Sequence, residues 1–167
     1  AIIETANNTL IAGCKNSVIP NSVTKIKRYA FHFQYFDHLV SYAVTAPVLE
    51  ENVFYTDYNK PILYAPEGSD YSSWKDYVSE IRGFKGKCGD NAYWEFDMAN
   101  ESLNITGNGE ITVEMSGYPW SNFKHLTKQI NISDGITTIP GFAFDLFENI
   151  KEIEIPASVT EIGNGER

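Results

Sequence analysis

Three histidines, two cysteines and scattered carboxylates are the residues of this 167-residue chain that could do chemistry. His32 and His38 lie six apart with Asp37 between them, and His125 stands alone. A metal site needs at least three convergent ligands, and the sequence has neither an HExxH motif nor a Cys/His cluster. No metal and no cofactor is therefore expected. Two carboxylates act as acid and base when held about 5–10 Å apart in a cleft. Glu50, Glu51, Asp97 and Glu101 are the candidates, but they fall in loops or on alternating strand faces that should be solvated. GxSxG, P-loop, GxGxxG and EF-hand patterns are missing from the sequence. "GNGE" from Gly107 and "CGDN" from Cys88 read as tight turns, so a non-enzymatic chain is expected. Cys14 and Cys88 make neither a CxxC pair nor a zinc knuckle. A disulfide, two free or partly buried thiols, or bridges to segments outside this sequence all fit; free or partly buried thiols are favoured.

Aromatic residues are in excess, with ten Tyr, ten Phe and three Trp. Trp74 and Trp94 have structural readings, on a helix face and on the inner face of a strand. An exposed Tyr or Trp ring offers large contact at low entropy cost, to a sugar or to a protein. Tyr118 and Trp120 in "GYPW", and Tyr93 on an outward strand position, are the aromatic binding candidates. The plainer alternatives are linker packing for Trp120 and a cross-strand pair for Tyr93.

Composition narrows the partners. The net charge is -9, with 43% hydrophobic and 21% charged residues, which is globular. Nucleic acid is excluded as a partner, because its binding relies on neutralising phosphates with Lys and Arg. Anionic membrane surfaces are disfavoured for the same reason. With no apolar run near 20 residues, direct membrane insertion of this segment is not expected. The chain starts without Met and stops at "GNGER", and it reads as a piece of something longer.

The elements that hold these residues are set by a repeat. "IPNSVTKIKRYAF" (Ile19 to Phe31), "ISDGITTIPGFAF" (Ile132 to Phe144) and "IPASVTEIG" (Ile155 to Gly163) are near copies. Ile132 to Ile155, Ile136 to Val159 and Ile139 to Ile162 are each spaced by 23. The first copy aligns at a shift of 113, matching Ile19, Val23, Ile26, Tyr29, Ala30 and Phe31 to Ile132, Ile136, Ile139, Phe142, Ala143 and Phe144. Apolar character kept at six positions among exchangeable polar ones predicts buried positions on a fixed scaffold. The stripes Leu39, Tyr42, Val44 and Ile150, Ile153, Ile155 follow the aromatics with LxxLxL-like spacing. That spacing predicts coils that each add a short strand to a parallel stack, because one coil cannot bury its own apolar edge.

The "IPxSVTxIGxxAF" wording resembles the BspA-like leucine-rich-repeat family of bacterial surface proteins. "GKCGDNAYWEFDMANESLNITGNGEI" resembles a β-module interleaved with such repeats, and "ILYAPEGSDYSSWKDY" resembles a segment that closes an array. The expected fold is a leucine-rich-repeat solenoid of short parallel strands, interrupted by a small antiparallel β-meander. The expected segments are 1–82, a first repeat array with a closing helix; 83–120, the β-module; and 121–167, a second array continuing into further repeats. The helix is expected after a Ser69 cap, with Tyr71, Trp74 and Val78 on one face. Strands are expected at Ile2–Ile3, Thr9–Ala12, Pro61–Ala65, Ala92–Phe96, Leu103–Ile105 and Ile111–Met115, with Leu39 to about Tyr58 as a strand-and-loop unit.

Side chains between the buried members of each strand would line an extended binding face. Those positions are Val40, Ser41 and Ala43 in one coil and Lys151, Glu152 and Glu154 in another. The resemblance implies an extracellular adhesion segment on a bacterial cell surface, contacting a protein or glycan ligand. A carbohydrate-binding module and a structural spacer are the alternatives.

Overall fold

The computed structural model describes residues 1–32, 35–54, 60–112 and 117–163. These divide into two compact units, Ala1–Phe84 and Lys85–Arg167.

The first unit holds β1 (Ile2–Glu4), β2 (Thr9–Ala12), β3 (Val18–Ile19), β4 (Lys25–Ile26), β5 (His38–Ser41), β6 (Val48–Leu49), β7 (Ile62–Tyr64) and β8 (Glu80–Arg82). They form two four-stranded sheets, β1-β2-β4-β6 and β3-β5-β7-β8. Apart from the β1–β2 hairpin, every pairing is parallel. In register, Val18 faces Val40, Val40 faces Tyr64 and Tyr64 faces Arg82. Successive turns of one chain therefore stack strand on strand, and the interior fills with Leu10, Ile19, Val23, Ile26, Phe31 and Leu63, all 1% exposed or less. Phe31 stacks on Phe54 at 5.6 Å between centroids, and Phe54 meets Trp74 edge-on at 5.7 Å.

The structure adds a copy of the repeat that sequence comparison passes over. Ile26, Tyr29, Ala30 and Phe31 recur 23 residues on as Leu49, Asn52, Val53 and Phe54. β4 pairs with β6, and the Tyr29 and Phe31 amides donate to the Asn52 and Val53 carbonyls at 3.0 Å. The signal was there in "LEENVF", but Asn in place of an aromatic hid it.

That Asn exposes the physics of the position. Tyr29, Asn52 and Phe142 all sit in the left-handed region, at φ of 62°, 55° and 61°. Asn tolerates this backbone and an aromatic does so at a cost. The expectation that all six shared positions are buried is corrected here: Tyr29 and Phe142 are each 44% exposed, because a left-handed turn points Cβ away from the stack. Phe142→Asn should therefore raise the melting midpoint, by about 1 kcal/mol of stability. A fall on calorimetry would mean the ring supports the fold.

No α-helix forms at the Ser69 cap. Ser72–Trp74 make one 3-10 turn, opened by the Asp70 side chain accepting the Ser72 amide at 2.9 Å. The Ser69 hydroxyl instead donates to the Pro66 carbonyl at 2.6 Å. Even so, Tyr71, Trp74 and Val78 are all buried. The Trp74 indole N–H donates to the Pro47 carbonyl at 3.0 Å.

The second unit contains β9 (Lys85–Lys87), β10 (Asn91–Asp97), β11 (Ser102–Glu110), β12 (Gln129–Ile132), β13 (Ile136–Ile139) and β14 (Glu161–Ile162). β9, β10 and β11 are an antiparallel meander. It lies within the expected 83–120 segment but uses different strands: β9 precedes the expected ones, the three strands span 85–110, Ile111 and Thr112 lie outside any strand, and Val113 and Met115 fall outside the described residues, as does Tyr58 in the first unit. Nine-residue β11 joins the meander to the coils. Its first half pairs in parallel with β12, Leu103 against Ile130, and its far end pairs with β13, Gly109 against Ile136. Strand β13 then pairs with β14, Thr138 against Glu161 and Ile139 against Ile162, which is the 23-residue period in hydrogen bonds.

Ser121–Phe123 form a second 3-10 turn, and it repeats the first. The Trp74 and Phe123 amides donate to Tyr71 and Trp120 carbonyls, and the Val78 and Thr127 amides to Trp74 and Phe123 carbonyls. "YSSWKDYVSEI" and "WSNFKHLTKQI" are one kind of coil, each delivering a strand, β8 and β12. In both, an aromatic side chain plugs the interior.

Candidate binding surface

Alternation along β10 places Ala92, Trp94 and Phe96 inside and Asn91, Tyr93 and Glu95 outside. Cross-strand register carries this over four strands. Tyr93 stands between Lys87 and Thr106, and Glu95 between Lys85 and Asn104. Asn104 then faces Asn131, and Ser102 faces Gln129. The inner side is apolar throughout, pairing Trp94 with Ile105 and Leu103 with Ile130. The outer side is a plane of amides, hydroxyls and charges about one aromatic ring.

Side-chain hydrogen bonds hold that plane. The Asn131 amide donates to Asn104 Oδ1 at 2.8 Å, and Gln129 Nε2 donates to Asn131 Oδ1 at 2.8 Å. Lys87 Nζ lies 5.8 Å from the centre of the Tyr93 ring. At one end the Asp97 carboxylate accepts the Ala99 amide at 2.8 Å and the Asn100 side-chain amide at 2.6 Å; these bonds hold its pKa below the usual carboxylate value. Glu101 and Lys128 form an ion pair beside it. Next to β12 lies a cleft of about 410 Å³, lined by Ile130, Asn131, Asp134, Glu154, Ile155 and Pro156 among others.

The candidates read from sequence fall on both sides of the surface. Tyr93 is 44% exposed, on the outward plane. Lys151, Glu152 and Glu154 are exposed, on a segment without strand structure, and Glu154 reaches the cleft. Tyr118 is half-buried, its hydroxyl donating to the Gly141 carbonyl at 2.8 Å. Trp120 is fully buried: its indole N–H donates to the Ala143 carbonyl at 2.7 Å, and its ring stacks on Tyr118 and Phe144. It is a core plug, and the platform reading for it is corrected.

Val40, Ser41 and Ala43 are corrected too, at 4%, 0% and 1% exposure. Burial in β5 does not alternate: Leu39, Val40 and Ser41 are all buried, and Val44, beyond the strand's end at Ser41, emerges at 65% exposure. Val40 is flanked in register by Val18 and Tyr64. The Tyr71 hydroxyl donates to the Ala43 carbonyl at 2.9 Å and shares a 2.7 Å hydrogen bond with the Ser41 hydroxyl. Burial raises the Tyr71 pKa, keeping the phenol neutral. In the other stripe Ile150 and Ile153 are half-buried and Ile155 is 41% exposed.

Among the described residues no three His, Cys, Asp or Glu side chains gather as a metal site would require. The cysteines are both free thiols. Burial pushes Cys88 up to about 12, while the Ser17 hydroxyl at 3.3 Å lowers exposed Cys14. Only the thiolate alkylates, so at pH 8 iodoacetamide should modify one thiol per native chain, at Cys14. Cys88 should follow only on unfolding, and mass mapping of a Cys88 adduct on native chain would contradict this.

Ladders of stacked parallel strands, with the 23-residue period held between β4 and β6 and between β13 and β14, define a leucine-rich-repeat solenoid. Residues 101–166 match the family model described as BspA type Leucine rich repeat region (6 copies). Over that stretch the chain is similar to BspA-type leucine-rich repeats. No curated protein and no solved structure matches it. No helix among the described residues is long and apolar enough to cross a membrane.

Proposed function

We propose that this chain is a non-enzymatic binding segment of a bacterial surface protein, displayed outside the cell and adhering to host or neighbouring-cell macromolecules. The observation that carries the reading is the outward plane of the second unit, four strands wide, polar and rigidly hydrogen-bonded, with its apolar partners all on the inner side. A sheet that needs only one face for its core leaves the other for contact, and solenoids commonly bind through such faces. The match to a BspA-type repeat region supports the surface setting, since that family is typically surface-associated.

Binding to immobilised matrix glycoproteins, read by surface plasmon resonance, tests the reading. Saturable binding that weakens in the Lys151→Glu plus Glu154→Lys variant or in Tyr93→Ala is expected. A response no greater than that of an albumin surface would reject it.

A further inference from the structure

The plane and the cleft meet at Asn131 and together make one candidate trough, whose chemistry selects a ligand class. Glu95, Asn104 and Asn131 stand side by side on neighbouring strands, two interstrand steps spanning about 10 Å. Asn131 belongs to the plane and also lines the cleft, where Asp134 and Glu154 continue the row of polar groups. Tyr93 and Thr106 flank the start of that row.

We propose that this trough binds a neutral oligosaccharide, a step that rests on the binding role argued above and names its ligand. Each carboxamide carries two N–H donors and a two-lone-pair acceptor, so the single bond joining Asn131 to Asn104 fixes both groups without using up their capacity. Vicinal sugar hydroxyls, which donate and accept from adjacent carbons, match such a row. The apolar C–H face of a pyranose matches the half-exposed Tyr93 ring, itself held beside the Lys87 ammonium.

Two observations argue against other ligands. Strands β10 and β11 are paired on both edges, so an extended peptide could join the sheet only at its outer strands, away from Tyr93 and Asn104. Glu95, Asp97, Asp134 and Glu154 outnumber Lys85 and Lys87, and the whole chain carries -9. A sulfated or sialylated glycan would meet like charge, whereas an uncharged one does not.

Calorimetric titration of the whole chain with mannopentaose, maltohexaose, chitohexaose and a heparin hexasaccharide decides the matter. Binding of at least one neutral sugar and none of heparin is expected. Tyr93→Ala and Asn104→Ala should each weaken it tenfold or more, with unchanged circular dichroism, while Tyr93→Phe stays within threefold. Silence with all three neutral sugars, a preference for heparin, or indifference to both alanine variants overturns the proposal. Matrix glycoproteins stripped enzymatically of glycans separate the two readings. Binding that survives stripping keeps the adhesion role and sinks the oligosaccharide, and binding lost on stripping supports both. No binding before or after stripping sinks the adhesion role, leaving the sugar titrations to decide the ligand.

Discussion

Trp120→Ala is expected to cost the second unit most of its stability. The ring is fully buried among Tyr118, Trp94 and Phe144, and emptying such a site costs about 3–5 kcal/mol. The indole N–H also satisfies the Ala143 carbonyl; leaving that acceptor unpaired costs about 1–3 kcal/mol more. Against a typical net stability of about 5–15 kcal/mol, this approaches unfolding. Hydrogen exchange at the β11 amides and far-UV dichroism in urea would read it directly. Trp120→Phe, which keeps the ring and loses the N–H, should fall between wild type and the alanine variant. If the alanine variant unfolds at the wild-type urea midpoint, Trp120 is not the plug described.

Gly107→Ala carries the second largest effect, for a backbone reason. Gly107 has φ of 95°, and a Cβ there would lie 2.0 Å from the Asn91 carbonyl oxygen. That oxygen belongs to the neighbouring strand, where Asn91 faces Asn108 and Ala92 faces Gly107, so it cannot withdraw without opening the β10–β11 ladder. Backbone strain of about 1–3 kcal/mol adds to a packing penalty of similar size. Gly109 is the control: its φ is 89°, but nothing lies within 4 Å of a built Cβ. Gly109→Ala should show the strain alone, so its thermal midpoint should lie well above that of Gly107→Ala. Equal midpoints would refute the clash.

The meander and the coils share β11 through its two edges: one pairs with β10, and the other gives Ser102–Ile105 to β12 and Gly109–Glu110 to β13. The positive φ at Gly107 and Gly109 lets the strand change course between the two. In the sequence, "GNG" is indistinguishable from a hairpin turn, and a turn is what it predicts.

Misreadings at the site share a cause. The stripe Leu39, Tyr42, Val44 places Val40, Ser41 and Ala43 between its members and so outward, but Val40 and Ser41 lie inside β5 between the paired strands β3 and β7, and only that pairing decides their burial. Trp120 looked like an exposed linker residue because its coil resembles that of Trp74 in hydrogen bonding more than in letters. Tyr93 was legible because β10 is seven residues of strict alternation, long enough for local pattern and tertiary burial to agree. The Asn104–Asn131 bond joins residues 27 apart, and spacing alone gives no hint of it.

By itself the sequence determined the 23-residue period, the identity of most core positions and the absence of catalytic motifs, because each is carried by side-chain types at fixed separations. Tertiary structure decided which faces stay open. Exposure depends on what stacks above and beside a residue: Tyr71 over Ser41, Trp120 beneath Ala143, and four strands in register leaving one polar plane uncovered.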